Sequence, residues 1–232
     1  MNREEFSNQF DILLNSYNGS AHTDIRLDEY EKSLFLTDAQ EAEVIGLYTG
    51  NNPNGESFEE TEQLRRYLAP LIAEKERTPI SKGSIIGMEE EDSYFFALPS
   101  DLWFITYEGV ILGTGACKDI SSMAVYPVRQ DEYHKIKKNP FRGANDRRAL
   151  RLDLSGGNVE IICKYSVTKY YVRYLKKLNP IILVPLPDNL SINGESQPMD
   201  CELHEALHQR ILERAVALAI KAKTATQPVQ QK

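Results

Sequence analysis

Apolar residues recur at spacings of three and four at the front of the chain. Phe6, Phe10, Leu13, Leu14 and Tyr17 line up as one stripe, which predicts a helix over residues 3–17. Asn18-Gly19-Ser20 stops it, and a short extended stretch follows near Ile25 and Leu27. Thr37-Asp38-Ala39-Gln40 has the form of a capping box, with Thr37 as N-cap and Gln40 three positions on. The helix it opens carries Val44, Leu47 and Tyr48 and ends near Gly50. Asn51-Asn52-Pro53-Asn54-Gly55 is a loop by composition. Ser57 and Glu60 form a second capping box, opening a helix to about Ala73 with Leu64, Leu68 and Leu71 on one face.

The period then changes. Tyr94-Phe95-Phe96-Ala97-Leu98-Pro99 and the run from Leu102 to Ile111 are rich in aromatic and β-branched residues, the pattern of strands. Further strands are predicted at Ser122–Val128, Ala149–Leu154, Val159–Tyr165, Tyr170–Leu175 and Ile181–Val184. Ser155-Gly156-Gly157-Asn158 is a hairpin turn signal, because glycine tolerates positive φ. Asn139-Pro140-Phe141-Arg142-Gly143 marks a longer loop. Such a density of short strands predicts a small antiparallel β-sandwich or barrel-like core, not a series of βαβ units. Pro185, Pro187 and Pro198 bracket a polar surface stretch. Asp200 then caps a terminal helix carrying Leu203, Leu207, Ile211, Val216 and Ile220, with Arg214, Lys221 and Lys223 toward its end as the helix dipole favours.

The expected fold class is therefore α+β. It has a helical N-terminal region (1–75), a β-rich core (76–184), a Pro-containing loop (185–200), a C-terminal helix (201–223) and a disordered tail (224–232). There is no internal repeat.

Composition narrows the function classes. The chain has 232 residues, 41% of them hydrophobic, enough for a real core. No apolar run is long enough to span a membrane, and the acidic start Met1-Asn2-Arg3-Glu4-Glu5 is unlike a secretory signal. Cys117, Cys163 and Cys201 lie far apart with no CxxC pair, which argues against a disulfide framework or a cysteine zinc site.

The net charge of −7 hides a split. Residues 1–110 hold 8 basic and 22 acidic side chains, whereas residues 111–232 hold 19 basic and 12 acidic. Within 135–177 there are 12 Lys or Arg against Asp146, Asp153 and Glu160. Two solvated faces of opposite sign would explain this. So would a basic surface for a polyanion, or a self-complementary contact between copies, since a head-to-tail ring needs two unlike faces on each subunit. The candidate contact residues are Lys135, Lys137, Lys138, Arg142, Arg147, Arg148 and Arg151. Tyr165, Tyr170, Tyr171 and Tyr174 mix with Lys and Arg in a way that could stack bases, but alternating tyrosines in strands more commonly form half-buried sheet faces.

One motif points elsewhere. His204-Glu205-Ala206-Leu207-His208 matches H-E-x-x-H, in which two histidines on one helical face hold zinc and the glutamate is general base. A third ligand is required. The metzincin extension is absent, because Gln209-Arg210-Ile211 follows. Glu213 lies nine positions after His204, on roughly the opposite face at about 100° per residue. His22 and His134 are the remaining histidines, and nothing in the sequence places them nearby. Gly113-Thr114-Gly115 lacks the rest of a dinucleotide fingerprint. Glu89-Glu90-Glu91-Asp92 reads as a solvated turn. No catalytic residue, metal site or cofactor is expected.

Three blocks carry a family resemblance. They are Leu27-Asp28-Glu29-Tyr30-Glu31-Lys32-Ser33 leading into Phe35-Leu36-Thr37-Asp38-Ala39-Gln40; Tyr126-Pro127-Val128-Arg129-Gln130-Asp131-Glu132-Tyr133 with Asn139-Pro140-Phe141; and His204-Glu205-Ala206 followed by Arg214-Ala215-Val216-Ala217-Leu218-Ala219. In this order they resemble virion structural proteins of tailed bacteriophages, most closely those of crAss-like phages. The resemblance implies a non-enzymatic, ring-forming protein of the portal–tail stack, a head-to-tail connector or adaptor. Its partners would be copies of itself and the portal and tail proteins, with DNA passing through the channel and no membrane contact. It would reside in the virion after assembly in host cytoplasm. It also gives the terminal helix a non-catalytic meaning. A zinc peptidase using His204, Glu205 and His208 and a DNA-contacting module using the basic segment remain the rivals.

Overall fold

The computed structural model describes residues 1–18, 26–51, 55, 57–82, 93–113, 121–137 and 139–225. In chain order the elements are α1 (Arg3–Asn18), α2 (Glu29–Thr49), α3 (Glu62–Leu68), β1 (Ile72–Arg77), β2 (Ser81–Lys82), β3 (Ser93–Ala97), β4 (Leu102–Leu112), β5 (Ser122–Pro127), α4 (Gln130–Lys137), β6 (Arg148–Asp153), β7 (Asn158–Ile162), β8 (Val167–Lys176) and α5 (His208–Ala225). They form two units. Met1–Leu71 and Leu178–Lys232 make one, and Ile72–Lys177, inserted between them in sequence, makes the other. The fold is α+β, as expected.

The first unit is helical. α1 opens on a reciprocal cap, with the Asn2 N–H donating to Glu5 Oε2 (3.0 Å) and the Glu5 N–H to Asn2 Oδ1 (2.8 Å). Its stripe buries Phe6, Phe10 and Leu14, while Tyr17 is exposed. α2 begins after Asp28, not Thr37. Asp28 and Glu31 form the operative capping box, with the Glu31 N–H donating to Asp28 Oδ1 at 2.7 Å. Thr37 lies inside the helix, where its hydroxyl donates to Ser33 O at 2.9 Å, so it has no need to cap. Gly50, at φ 77°, ends α2 in the left-handed region.

α3 starts after Thr61, whose hydroxyl accepts from the Leu64 N–H at 3.3 Å. The Ser57–Glu60 pair closes a preceding turn instead. Pro70 lacks the N–H a helix needs, so α3 tightens into a 3₁₀ turn at Ala69–Leu71 and the chain leaves as β1. α5 buries Ile211, Leu212, Ala215, Val216 and Ala219 in this unit. Arg210 reaches the buried Glu43 of α2 at 2.7 Å, and Lys223 reaches Glu31 at 2.7 Å.

The expected strand at Ile181–Val184 does not form. Ile182 makes one bridge with Met199, the flanking N–H groups bond to α2 hydroxyls, and Ile181, Ile182 and Leu183 are buried while Val184 is exposed. The apolar run was real, but it belongs to a segment lying across a helix.

The second unit is one curled eight-stranded sheet in the order β1-β8-β4-β5-β6-β7-β3-β2. Every pairing is antiparallel except β5 with β6. That parallel pair is joined through α4, a helix the sequence pattern did not announce, so a single βαβ crossover interrupts an otherwise antiparallel sheet. One face carries the main core, including Phe96, Val110, Val125, Val159, Tyr170 and Tyr174. On the other, Leu150, Leu152 and Ile162 pack under Tyr133 of α4. Gly156 and Gly157 turn the β6–β7 hairpin at φ 70° and 73°, as the sequence required.

Candidate assembly surface

α4 and the turn after it carry most of the predicted basic residues. Tyr133 is buried against the sheet and Ile136 half-buried, which leaves Lys135 and Lys137 exposed. Lys138 lies outside the described residues.

Asn139 organises the turn after α4. Its Oδ1 accepts the N–H of Phe141 (2.9 Å) and of Arg142 (3.2 Å), and its carbonyl accepts the Gly143 N–H at 2.7 Å. A Cβ on Gly143 would lie 2.9 Å from the Asn139 carbonyl and 3.2 Å from those of Ile136 and Lys137, so only glycine fits. The turn is pinned, yet Phe141 is 84% exposed. Arg142 and Arg147 are exposed beside it. The Arg148 guanidinium stacks 4.3 Å over the Tyr126 ring and donates to Phe141 O at 3.3 Å. Lys135, Arg142 and Arg147 have no side-chain partner among the described residues.

Asp146 is the nearby acid, and it is spoken for. Lys164 Nζ lies at 2.6 Å and Tyr165 OH at 2.8 Å, and the Lys164 contact chiefly holds its carboxyl below the usual carboxylate range.

Arg151 stands apart from the rest of the candidate set. It is only 9% exposed and pairs with Glu108 and with Asp153, whose Oδ1 lies 3.0 Å from Nε. Burial opposes its charge, but Glu108 and Asp153 outweigh that and hold the guanidinium above its ordinary pKa. Tyr170 donates to Glu108 Oε2 at 2.6 Å, its phenol pushed far up by burial and by the Glu108 carboxylate. Strand alternation explains the difference. Arg151 shares a sheet face with Ala149, while Leu150 and Leu152 face α4. Its charge is compensated inside the subunit.

The tyrosines behave as sheet residues. Tyr170 and Tyr174 are buried, and Tyr174 OH donates to Asp101 at 3.0 Å. These two rings offer no stacking platform for bases, whereas Tyr165 and Tyr171 are half-buried.

The H-E-x-x-H segment does not form a metal face. His204 is the cap of a 3₁₀ turn over Glu205–Leu207, its Nδ1 accepting the Ala206 N–H at 3.2 Å, and α5 begins only at His208. Both His208 nitrogens are engaged, Nε2 with Leu203 O at 3.0 Å and Nδ1 with the Met1 amine at 2.6 Å. Among the described residues no three His, Cys, Asp or Glu converge on a metal position. His22, Cys117 and the Glu89–Asp92 run lie outside the described residues.

The charge split also takes a new form. The helical unit holds 10 basic and 20 acidic side chains, and the sheet unit holds 17 basic and 14 acidic. Front and back of the sequence become two units of net −10 and +3. Sequence reading missed the exposed Phe141 and the Tyr126–Arg148 stack. The Asn-Pro-Phe-Arg-Gly string signalled a turn, but nothing in it told that the phenylalanine would face water.

The whole chain matches one family. Residues 1–231 fit the family described as phage tail ring protein 3/4. The chain is similar to Ring protein 3 of Bacteroides phage crAss001, 48% identical over 227 residues covering 97% of each chain. It is also similar to Ring protein 4/5 of the same phage, 30% identical over 229 residues covering 94% of this chain and 92% of the other.

Proposed function

The chain belongs to the phage tail ring protein 3/4 family, and from that membership we propose that it is a structural ring subunit of a phage virion, joining portal to tail through protein–protein contacts. The observation that carries the contact reading is the pinned 139–143 turn. It holds an exposed phenylalanine among Lys135, Arg142 and Arg147, cations that have no partner among the described residues. A pinned backbone presents these side chains without the cost of ordering a loop on docking.

Copies of the chain pack around a ring, with portal and tail proteins above and below. Most of the basic charge meets acidic protein. DNA crosses the channel, and it slides past more readily when the walls do not bind it tightly. The subunit works without catalysis and without a cofactor, and it resides in the virion after assembly in host cytoplasm.

Native mass spectrometry or mass photometry tests this reading. The expected result is a discrete closed multimer, formed by the chain alone or on addition of its neighbours in the particle. A chain that stays monomeric under both conditions overturns it. Duplex DNA binding that falls steeply with salt, and is lost on neutralising Lys137, Arg147 and Arg148, would move the basic segment from protein to DNA contact.

A further inference from the structure

The ring reading leaves open what receives the Phe141 turn. Resting on that reading, we infer that Phe141 of one copy seats in a cavity of the next copy's helical unit, where Glu4 meets Arg142. This cavity is an open depression of about 310 Å³ at the start of α1, lined by Arg3, Glu4, Ser7, Asn8, Glu29, Leu183 and Val184.

Size matches, and one wall of an otherwise polar lining is apolar. Leu183 and Val184 give the cavity an apolar part, and Val184 is 39% exposed in the isolated chain. A benzyl side chain fits such a volume, and an exposed aromatic on a pinned turn is the usual anchor of an interface.

Charge selects the same pairing. The knob belongs to the sheet unit of net +3 and the hole to the helical unit of net −10. Within the hole, Arg3 is already paired with Asp200 at 3.1 Å, and Glu29 is held by Lys32 (2.8 Å) and Ser7 (2.9 Å). Glu4 has no side-chain partner among the described residues. It is the carboxylate available to an incoming cation, and Arg142 lies next to Phe141 in the sequence.

Symmetry gives the contact its consequence. Knob and hole belong to different units of the chain, so each copy that donates a knob still offers a hole. A heterologous contact of this type propagates and closes into a ring when the rotation permits.

Cross-linking between full-length chains tests it. Chains carrying Phe141→Cys are mixed with chains carrying Val184→Cys and oxidised. A disulfide-linked dimer of the two different chains is expected, and neither variant alone should give it. Phe141→Ala should raise the concentration for half-assembly at least about tenfold. Arg142→Glu should weaken assembly, and Glu4→Arg in the same chain should restore it. Assembly of the wild-type chain without the mixed cross-link, and without restoration by the exchanged charges, overturns the knob-and-hole contact while leaving the ring function standing. Failure of the wild-type chain to assemble at all, alone or with its neighbours, overturns both.

Discussion

The Thr37 hydroxyl receives the backbone N–H of Ile181 at 3.1 Å, although the two residues lie 144 positions apart in the chain. The contact is one of a series along α2. The Ser33 hydroxyl receives the Leu183 N–H at 3.0 Å, and the Gln40 side-chain amide donates to Asn179 O at 2.9 Å. Positions 33, 37 and 40 share one helical face. They supply the 179–183 backbone, buried from Pro180 to Leu183, with partners that a strand would have found in a sheet.

Thr37→Val keeps the shape of the side chain and removes its hydrogen bonds. The Ile181 N–H is then buried without its partner, at a cost of about 1–3 kcal/mol. A urea midpoint shift of that size is expected, with Thr37→Ser retaining most of the wild-type stability. A neutral Thr37→Val would show that water replaces the hydroxyl.

Inside the sheet unit, Glu108, Arg151 and Tyr170 depend on one another. Removing the carboxylate with Glu108→Leu leaves the Arg151 charge buried beside Asp153 alone, which costs about 3–5 kcal/mol. Arg151→Met strands Glu108 in the same way. The double variant should lose much less than the sum of the two single losses, because no uncompensated charge remains. A double-mutant cycle by denaturant unfolding measures the coupling, and additive losses would refute it.

Local pattern was legible where it was strong. The Phe6–Phe10–Leu14 stripe, the aromatic strands and the Gly156-Gly157 turn needed only near neighbours to fold as they do. The misplacements arise where two local solutions compete. Asp28-x-x-Glu31 and Thr37-x-x-Gln40 are both capping boxes, and the second lost because Thr37 and Gln40 bond to a segment far along the chain. β1 reads Ile-Ala-Glu-Lys-Glu-Arg, a helix-forming composition, and it becomes a strand only because β8 pairs with it. Among the candidate contact residues, Arg151 differs from Arg147 because it sits within β6 on a buried sheet face, whereas Arg147 lies in the turn that precedes the strand. A run of basic residues does not encode that until the register is fixed.

His208 links stability to pH. Burial lowers its pKa below the ordinary imidazole value of 6.5, opposed by the bond to Leu203 O, with the Met1 amine and His204 also lowering it and Glu205 raising it. The unfolded chain therefore takes up a proton at a pH where the folded chain stays neutral. Stability from this group is intact above about pH 6.5 and falls as pH drops toward the folded-state pKa. Midpoints measured between pH 7.5 and 5 should decline, and His208→Gln, which can still donate toward Leu203 O without titrating, should flatten that part of the profile. An unchanged slope would assign the decline to carboxylates instead.

Cys201 should be a slow thiol. Burial pushes its pKa up to about 11, so little thiolate exists at pH 8. Alkylation by iodoacetamide, followed residue by residue with mass spectrometry, should run on the order of a hundredfold slower than for a free cysteine. In denaturant the difference should vanish.

Gly143 separates presentation from charge. A methyl group there collides with the Asn139 carbonyl and crowds those of Ile136 and Lys137, and all three are backbone rather than flexible side-chain tips. Gly143→Ala therefore has to displace the turn, at about 1–3 kcal/mol, while every lysine and arginine of the surface is kept. If the basic patch acted through charge alone, assembly would survive this change and respond only to salt. If the fixed position of Phe141 matters, Gly143→Ala should weaken assembly nearly as much as Phe141→Ala, and raising the salt concentration should weaken it little further. Tyr133 and the β5–β6 pair lie outside the turn, so far-UV circular dichroism should stay close to wild type and separate a displaced turn from a lost fold.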